Sequence, residues 1–124
     1  MDGLDQTFGS YQIVRLLGKG GMGSVYEARH TTLERRAAIK VLHKEFCEDP
    51  EVLKRFMNEA RAVNIIAHAA LVSVSEFGQT KEGAPYIVME YIDGITLREY
   101  IRRAGGHLSV DQVVRLSRQI ASAL

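Results

Sequence analysis

Residues 17–40 read LGKGGMGSVYEARHTTLERRAAIK, and this run restricts the fold more than any other stretch. Gly18, Gly20 and Gly23 are followed by Val25 and an alternation of apolar and polar residues. After a polar interlude, Lys40 closes an apolar run. Alternation is the two-residue period of a strand, so the glycines join two strands instead of opening a helix. A dinucleotide-binding fold needs its glycines at a helix start and does not fit. A Walker-type loop needs Gly-Lys followed by Ser or Thr, whereas Lys19 is followed by Gly20. Two readings remain on the glycines alone: an ordinary glycine-rich hairpin, or a loop laid over phosphates. In the second, the missing side chains at Gly20 and Gly23 let the backbone approach, and N–H groups turn toward phosphate oxygens.

At 124 residues the chain is of single-domain size, and 46% apolar with 25% charged residues are globular values. Such a chain buries roughly two-thirds of its unfolded surface, enough for a core. A net charge of +1 exerts little pull on polyanions. The pairs Arg35-Arg36 and Arg102-Arg103 read as solvated, and no nucleic-acid partner is expected. Cys47 is the single cysteine, which excludes an internal disulfide and fits a reducing compartment. The start, MDGLDQTFGS, does not have the pattern of a signal peptide. No apolar run approaches the length of a membrane span, and a cytoplasmic setting is expected. His30, His43, His68 and His107 lack metal-ligand spacing, so no metal site is expected among these residues.

Taken in order, residues 1–10 read as a tail. Strands are expected over 11–17, from the glycine loop to about Arg29, and over 36–42, 71–77 and 85–91. The third is largely apolar and is expected at the centre of the sheet. Lys40 within it costs free energy unless an anion meets it; a lysine snorkelling at a strand edge is the plainer alternative. Asp49-Pro50 opens a helix, with Asp49 as N-cap and proline in the first turn, where its missing N–H costs nothing. Val52, Phe56, Ala60 and Val63 recur at helical spacing. Glu59 borders this stripe. Pairing with Arg55 would contribute about 0.2–0.5 kcal/mol, whereas pairing with Lys40 would answer the charge in the strand. Asp93-Gly94 signals a linker. Thr96 with Glu99, and Ser109 with Gln112, are capping boxes that open two helices. The last helix carries Val113, Leu116, Ser117, Ile120 and Leu124 on one face, with no stop signal. Each large apolar side chain left exposed forgoes about 1.5–3 kcal/mol, so the chain reads as cut off inside an element whose packing partners lie beyond it.

This order of elements, with the stretches GKGGMGSVYEARH, AAIK, RFMNEAR and YIVMEYIDGITLREYI, resembles the protein kinase family, most closely the bacterial serine/threonine kinases of eukaryotic type. The resemblance runs from Tyr11 to Leu124. It implies an α+β fold: a small lobe of five antiparallel strands and one helix, which with the hinge covers residues 11–92. The first two helices of a truncated helical lobe would follow over residues 93–124. It also implies ATP as the nucleotide. Gly18, Lys19, Gly20, Gly21, Met22, Gly23 and Ser24 would form the loop over the phosphates. Leu17 and Val25 would touch the upper face of the adenine, and Ala38 would leave room for the flat ring. Lys40 would hold the α- and β-phosphates, with Glu59 as its partner on the helix. Met89 resembles the residue at the back of the pocket. Glu90 and Ile92 match the hinge positions whose backbone groups meet the adenine edge, and Asp93 would lie near the ribose. The chain departs from the family at Ala37, where valine is usual, and at Ala69-Ala70-Leu71-Val72, where Pro-Asn-Ile-Val is frequent.

The family's catalytic loop (His-Arg-Asp with a later Asn), its Asp-Phe-Gly metal site and its activation segment have no counterpart in these 124 residues. The catalytic base and the magnesium ligands would lie downstream. The resemblance therefore implies the N-terminal part of an ATP-dependent kinase acting on protein serine or threonine, with this chain inactive by itself. The alternative is a free-standing, non-catalytic kinase-like lobe that binds a partner protein, another kinase being one candidate. A pseudokinase is a third reading, disfavoured by the intact Lys40, Glu59 and glycines.

Overall fold

The computed structural model describes residues 6–66 and 72–123. The chain divides into two compact units, with a break between Tyr91 and Ile92. In the first, β1 (Thr7–Phe8), β2 (Tyr11–Lys19), β3 (Gly23–His30), β4 (Arg36–Leu42), β5 (Val74–Gln79) and β6 (Pro85–Glu90) form one sheet, ordered β1-β2-β3-β4-β6-β5. Every neighbouring pair is antiparallel. One helix, α1 (Pro50–Ile66), connects β4 to β5.

The expected five strands are present, and β1 adds a sixth from the segment read as a tail. Phe8 is buried, with its ring 5.3 Å from that of Tyr86. Gly9, at φ +57°, makes the left-handed turn that returns the chain into β2. A two-residue strand is too short for alternation to register. The strand expected over 71–77 begins later, at Val74. The β5–β6 turn sets its register: Thr80 donates to Ala84 O at 2.8 Å, and Gln79 pairs with Pro85. Leu71, expected to begin that strand, lies outside the described residues, as do Ala69 and Ala70.

β4 lies in the middle of the sheet, and its two-residue period separates two cores. Ala37 and Ile39 pack with Tyr11, Ile13, Ala28 and Val88 on one face. Leu42 packs with Ile87 on the other, beneath Phe56 and Ala60 of α1. The helix begins as its sequence requires, with Asp49 Oδ1 accepting from the N–H groups of Glu51 (3.0 Å) and Val52 (3.3 Å). Phe56 is 0% exposed, and burying such a side chain contributes about 1.5–3 kcal/mol. The Val63 side chain lies outside the described residues. A 3₁₀ turn, Lys44–Phe46, precedes α1.

The second unit contains α2 (Leu97–Arg103) and α3 (Val110–Ala123). Thr96 Oγ1 accepts from Glu99 N at 3.1 Å, but the Glu99 carboxylate goes to Arg102 and Arg103. These two guanidiniums, Arg102 foremost, hold Glu99 below the usual carboxylate range. Ser109 and Gln112 close the full reciprocal box, at 2.9 and 3.2 Å. Gln112 Nε2 also donates to Tyr100 Oη at 3.1 Å, joining α3 to α2. Val113 and Ile120 are exposed; Leu124 lies outside the described residues.

Candidate functional site

Cross-strand register assembles the candidate residues of the first unit. Val25, Lys40 and Ile87 lie in one row across β3, β4 and β6, and Glu27, Ala38 and Met89 lie in another, two residues along on the same face. The period of β4 puts Ala38 and Lys40 on the same face as Leu42, the face covered by α1. Phe56 anchors the helix there, and Glu59, one turn later, reaches the lysine. Lys40 Nζ lies 3.6 Å from Glu59 Oε2 and 5.8 Å from the centre of the Phe56 ring. The side chains are 29% and 64% exposed, so Lys40 is less buried than its place in a central strand suggests. An ion pair this open contributes at most about 1 kcal/mol; its main effect is to orient the ammonium.

The glycine loop joins β2 to β3. Two register shifts against β3, one between Ile13 and Arg15 and one between Leu16 and Gly18, disturb the ladder before the loop. Gly20 N donates to Gly23 O at 2.8 Å, and His43 N donates to Met22 O at 2.7 Å, which ties the tip to the residue after β4. The glycines have different reasons. A Cβ on Gly23 would lie 2.4 Å from Val41 O, so β4 itself forbids a side chain there. At Gly18 and Gly21 a Cβ would meet nothing within 4 Å, and at Gly20 only Gly23 O at 3.6 Å. Packing among the described residues does not demand glycine at those three. Lys19 and Ser24 face one another across the ladder. The Ser24 side chain points to the opposite face from Val25 and is engaged with His43, Oγ to Nε2 at 3.0 Å.

Met89 is half-buried at the end of β6 and pairs with Ala38. Glu90 is bound to Ser73: its N–H donates to Ser73 O at 2.9 Å, and its carboxylate accepts from Ser73 N and Oγ, both at 3.4 Å. Leu17 is exposed, as are Ile92 and Asp93 of the second unit.

A charged cluster beside this region was not singled out from the sequence. Glu27 is 6% exposed, and its Oε1 accepts from Arg15 Nε at 2.7 Å. Arg15 Nη2 donates to the Tyr91 hydroxyl at 3.3 Å, and the Arg36 guanidinium lies 4.5 Å above the Tyr91 ring. Hydrogen bonds from Arg15 to Glu27, then to Tyr91, hold this guanidinium above its ordinary value. Alternation from Val25 could have placed Glu27 on the lysine-bearing face; nothing local announces its partners. Among the described residues, no group of three or more His, Cys, Asp and Glu is arranged to hold a metal.

A family model of the protein kinase domain matches residues 11–124. The chain belongs to the protein kinase family. This kinase chain is 40% identical over 116 residues to the serine/threonine-protein kinase PrkC of Bacillus subtilis, covering 94% of this chain and 18% of PrkC. It is 41% identical over 116 residues to Pkn1 of Myxococcus xanthus, covering 94% and 16%. It is 39% identical over 120 residues to PknA of Mycobacterium tuberculosis, covering 94% and 28%. A crystal structure of the Mycobacterium tuberculosis PknI kinase domain matches 97% of the kinase chain and 49% of its own length, at 30% identity and a TM-score of 0.77. The chain thus spans less than a third of these curated relatives and about half of that kinase domain. Within its first unit, the kinase chain gathers Val25, Ala38, Lys40 and Met89 in two rows of one sheet face, sets Glu59 against Lys40, and begins the glycine loop from the same sheet.

Proposed function

We propose that this chain supplies the nucleotide-holding part of an ATP-dependent serine/threonine protein kinase, and that the 124 residues alone transfer no phosphate. The Lys40–Glu59 pair, at 3.6 Å, carries this reading. A carboxylate on one side of the ammonium orients it and leaves further N–H donors for an anion. Gly18, Gly20 and Gly21, which no packing among the described residues requires, leave room for an anion to approach the backbone closely.

The residues present fit ATP. Lys40 and the loop from Gly18 to Ser24 would hold the phosphates, and Leu17, Val25 and Ala38 would cover the adenine. Met89 would lie behind the ring, while the backbone of Glu90 and Ile92 would read its edge. Bound ATP would supply the phosphoryl group; the chain's own part is to bind, align and balance charge. Magnesium is different, since the family motif that holds it has no counterpart in these 124 residues. We assign its ligands, the catalytic base and the protein-substrate groove to downstream sequence. We further propose a cytoplasmic setting for this reaction.

The test uses the full gene product. Lys40→Met is expected to abolish phosphate transfer to protein serine or threonine while circular dichroism shows an intact fold. Undiminished transfer would overturn the role of Lys40. The purified 124-residue chain is expected to show no Lys40-dependent transfer from labelled ATP; clear transfer would refute its inactivity.

A further inference from the structure

We infer that Tyr91 is a positioning residue for adenine recognition, held in place by Arg15, Glu27 and Arg36. The inference rests on the proposed hinge roles of Glu90 and Ile92, because Tyr91 is the residue that joins them.

Glu27 lies in a sheet row between β2 and β4 and is 6% exposed. A carboxylate so buried is costly unless paired, and Arg15 answers it at 2.7 Å. That bond fixes the guanidinium through Nε, and its Nη2 reaches the Tyr91 hydroxyl at 3.3 Å. The two residues of this contact are 76 apart in the chain. A second cation, Arg36, lies over the same ring at 4.5 Å, within cation–π range. β2, β3 and β4 thus each contribute one charged side chain to restraining one aromatic ring. A ring gripped at both its face and its hydroxyl cannot change rotamer freely, so the backbone that carries it is restrained too. On the preceding residue, Glu90 is fixed to Ser73 through its N–H and its carboxylate. The exit from β6 is therefore held from both sides, at the segment whose carbonyl and N–H groups would meet the adenine edge. Restraint of this kind lowers the ordering cost of binding. It acts on the base and not on the phosphates, which fall to Lys40 and the glycine loop.

That division supplies the test. In the full gene product, titration calorimetry with magnesium would compare ATP, GTP and inorganic tripolyphosphate. Tyr91→Leu is expected to weaken ATP about tenfold, leave tripolyphosphate within about twofold, and narrow the preference for ATP over GTP. Tyr91→Phe keeps the ring under Arg36 and is expected to fall between Tyr91→Leu and the parent. Arg15→Met should weaken ATP in the same selective way. Lys40→Met should weaken ATP and tripolyphosphate together. Parent-like ATP affinity in Tyr91→Leu, or equal losses for ATP and tripolyphosphate, would overturn the inference and leave the nucleotide site standing. If Tyr91→Leu fails to fold, Tyr91→Phe and Arg15→Met decide by the same criteria. A parent protein that binds no nucleotide, or a Lys40→Met variant that binds both ligands as the parent does, would overturn the proposed function itself and the inference with it.

Discussion

Gly18 and Gly23 belong to one motif and answer to different physics. At Gly23 an added methyl group would press 2.4 Å from Val41 O, a backbone atom of the neighbouring strand. Gly23→Ala should therefore force β3 and β4 apart and cost about 1–3 kcal/mol of stability. Gly18→Ala meets open space and should change stability by less than about 0.5 kcal/mol. Urea denaturation of the two variants would check this, and equal losses would contradict it. If the phosphate-binding reading holds, Gly18→Ala should still weaken ATP binding. At this scale the sequence was most legible where a rule is local. Alternation put Val25 on a strand, an apolar run put Lys40 on another, and the helical stripe put Glu59 at its border. Ser24 illustrates the limit: the loop motif includes it, but its side chain turns to His43 on the other face.

Among the elements, α1 links the core to the candidate site. Its N-cap, proline and apolar stripe were all readable, and helix and cap form as expected. Phe56 does the anchoring, and the Lys40–Glu59 contact depends on that anchor. Phe56→Ala should cost about 3–5 kcal/mol, far more than Glu59→Gln, which removes a largely exposed ion pair worth at most about 1 kcal/mol. Chemical denaturation would rank them, and a Glu59→Gln loss as large as that of Phe56→Ala would show the pair to be structural. β1 was not readable, because two residues contain no period. Its existence depends on Phe8 reaching Tyr86 and on the left-handed turn at Gly9.

For the whole molecule, the distribution of apolar burial is uneven. Every buried residue among those described lies at or before Val88, whereas Val110, Val113, Val114 and Ile120 of α3 are exposed. The core that holds the sheet together is therefore also the core beneath the candidate nucleotide site. Binding to the folded state alone stabilises it by mass action, by about 2.7 kcal/mol when ligand is at a hundred times its Kd. In the full gene product, ATP should raise the melting temperature progressively with concentration, and Lys40→Met should blunt the rise at the same ATP concentrations. A melting temperature indifferent to ATP across the millimolar range would count against a nucleotide site on this sheet.

The sequence by itself determined the type of nearly every element, the helix starts at Asp49, Thr96 and Ser109, and the family through the order of its motifs. Those features arise from backbone geometry and capping over a few residues, so they are written locally. Only the tertiary structure decided that β4 pairs with β6 and not with β5, that Glu59 meets Lys40 at 3.6 Å, and that Arg15, Glu27, Arg36 and Tyr91 form one cluster. Each depends on which distant side chains pack and pair best once the sheet has formed. Periodicity shows which face of an element a residue occupies; the partner it meets there is set by packing across the fold.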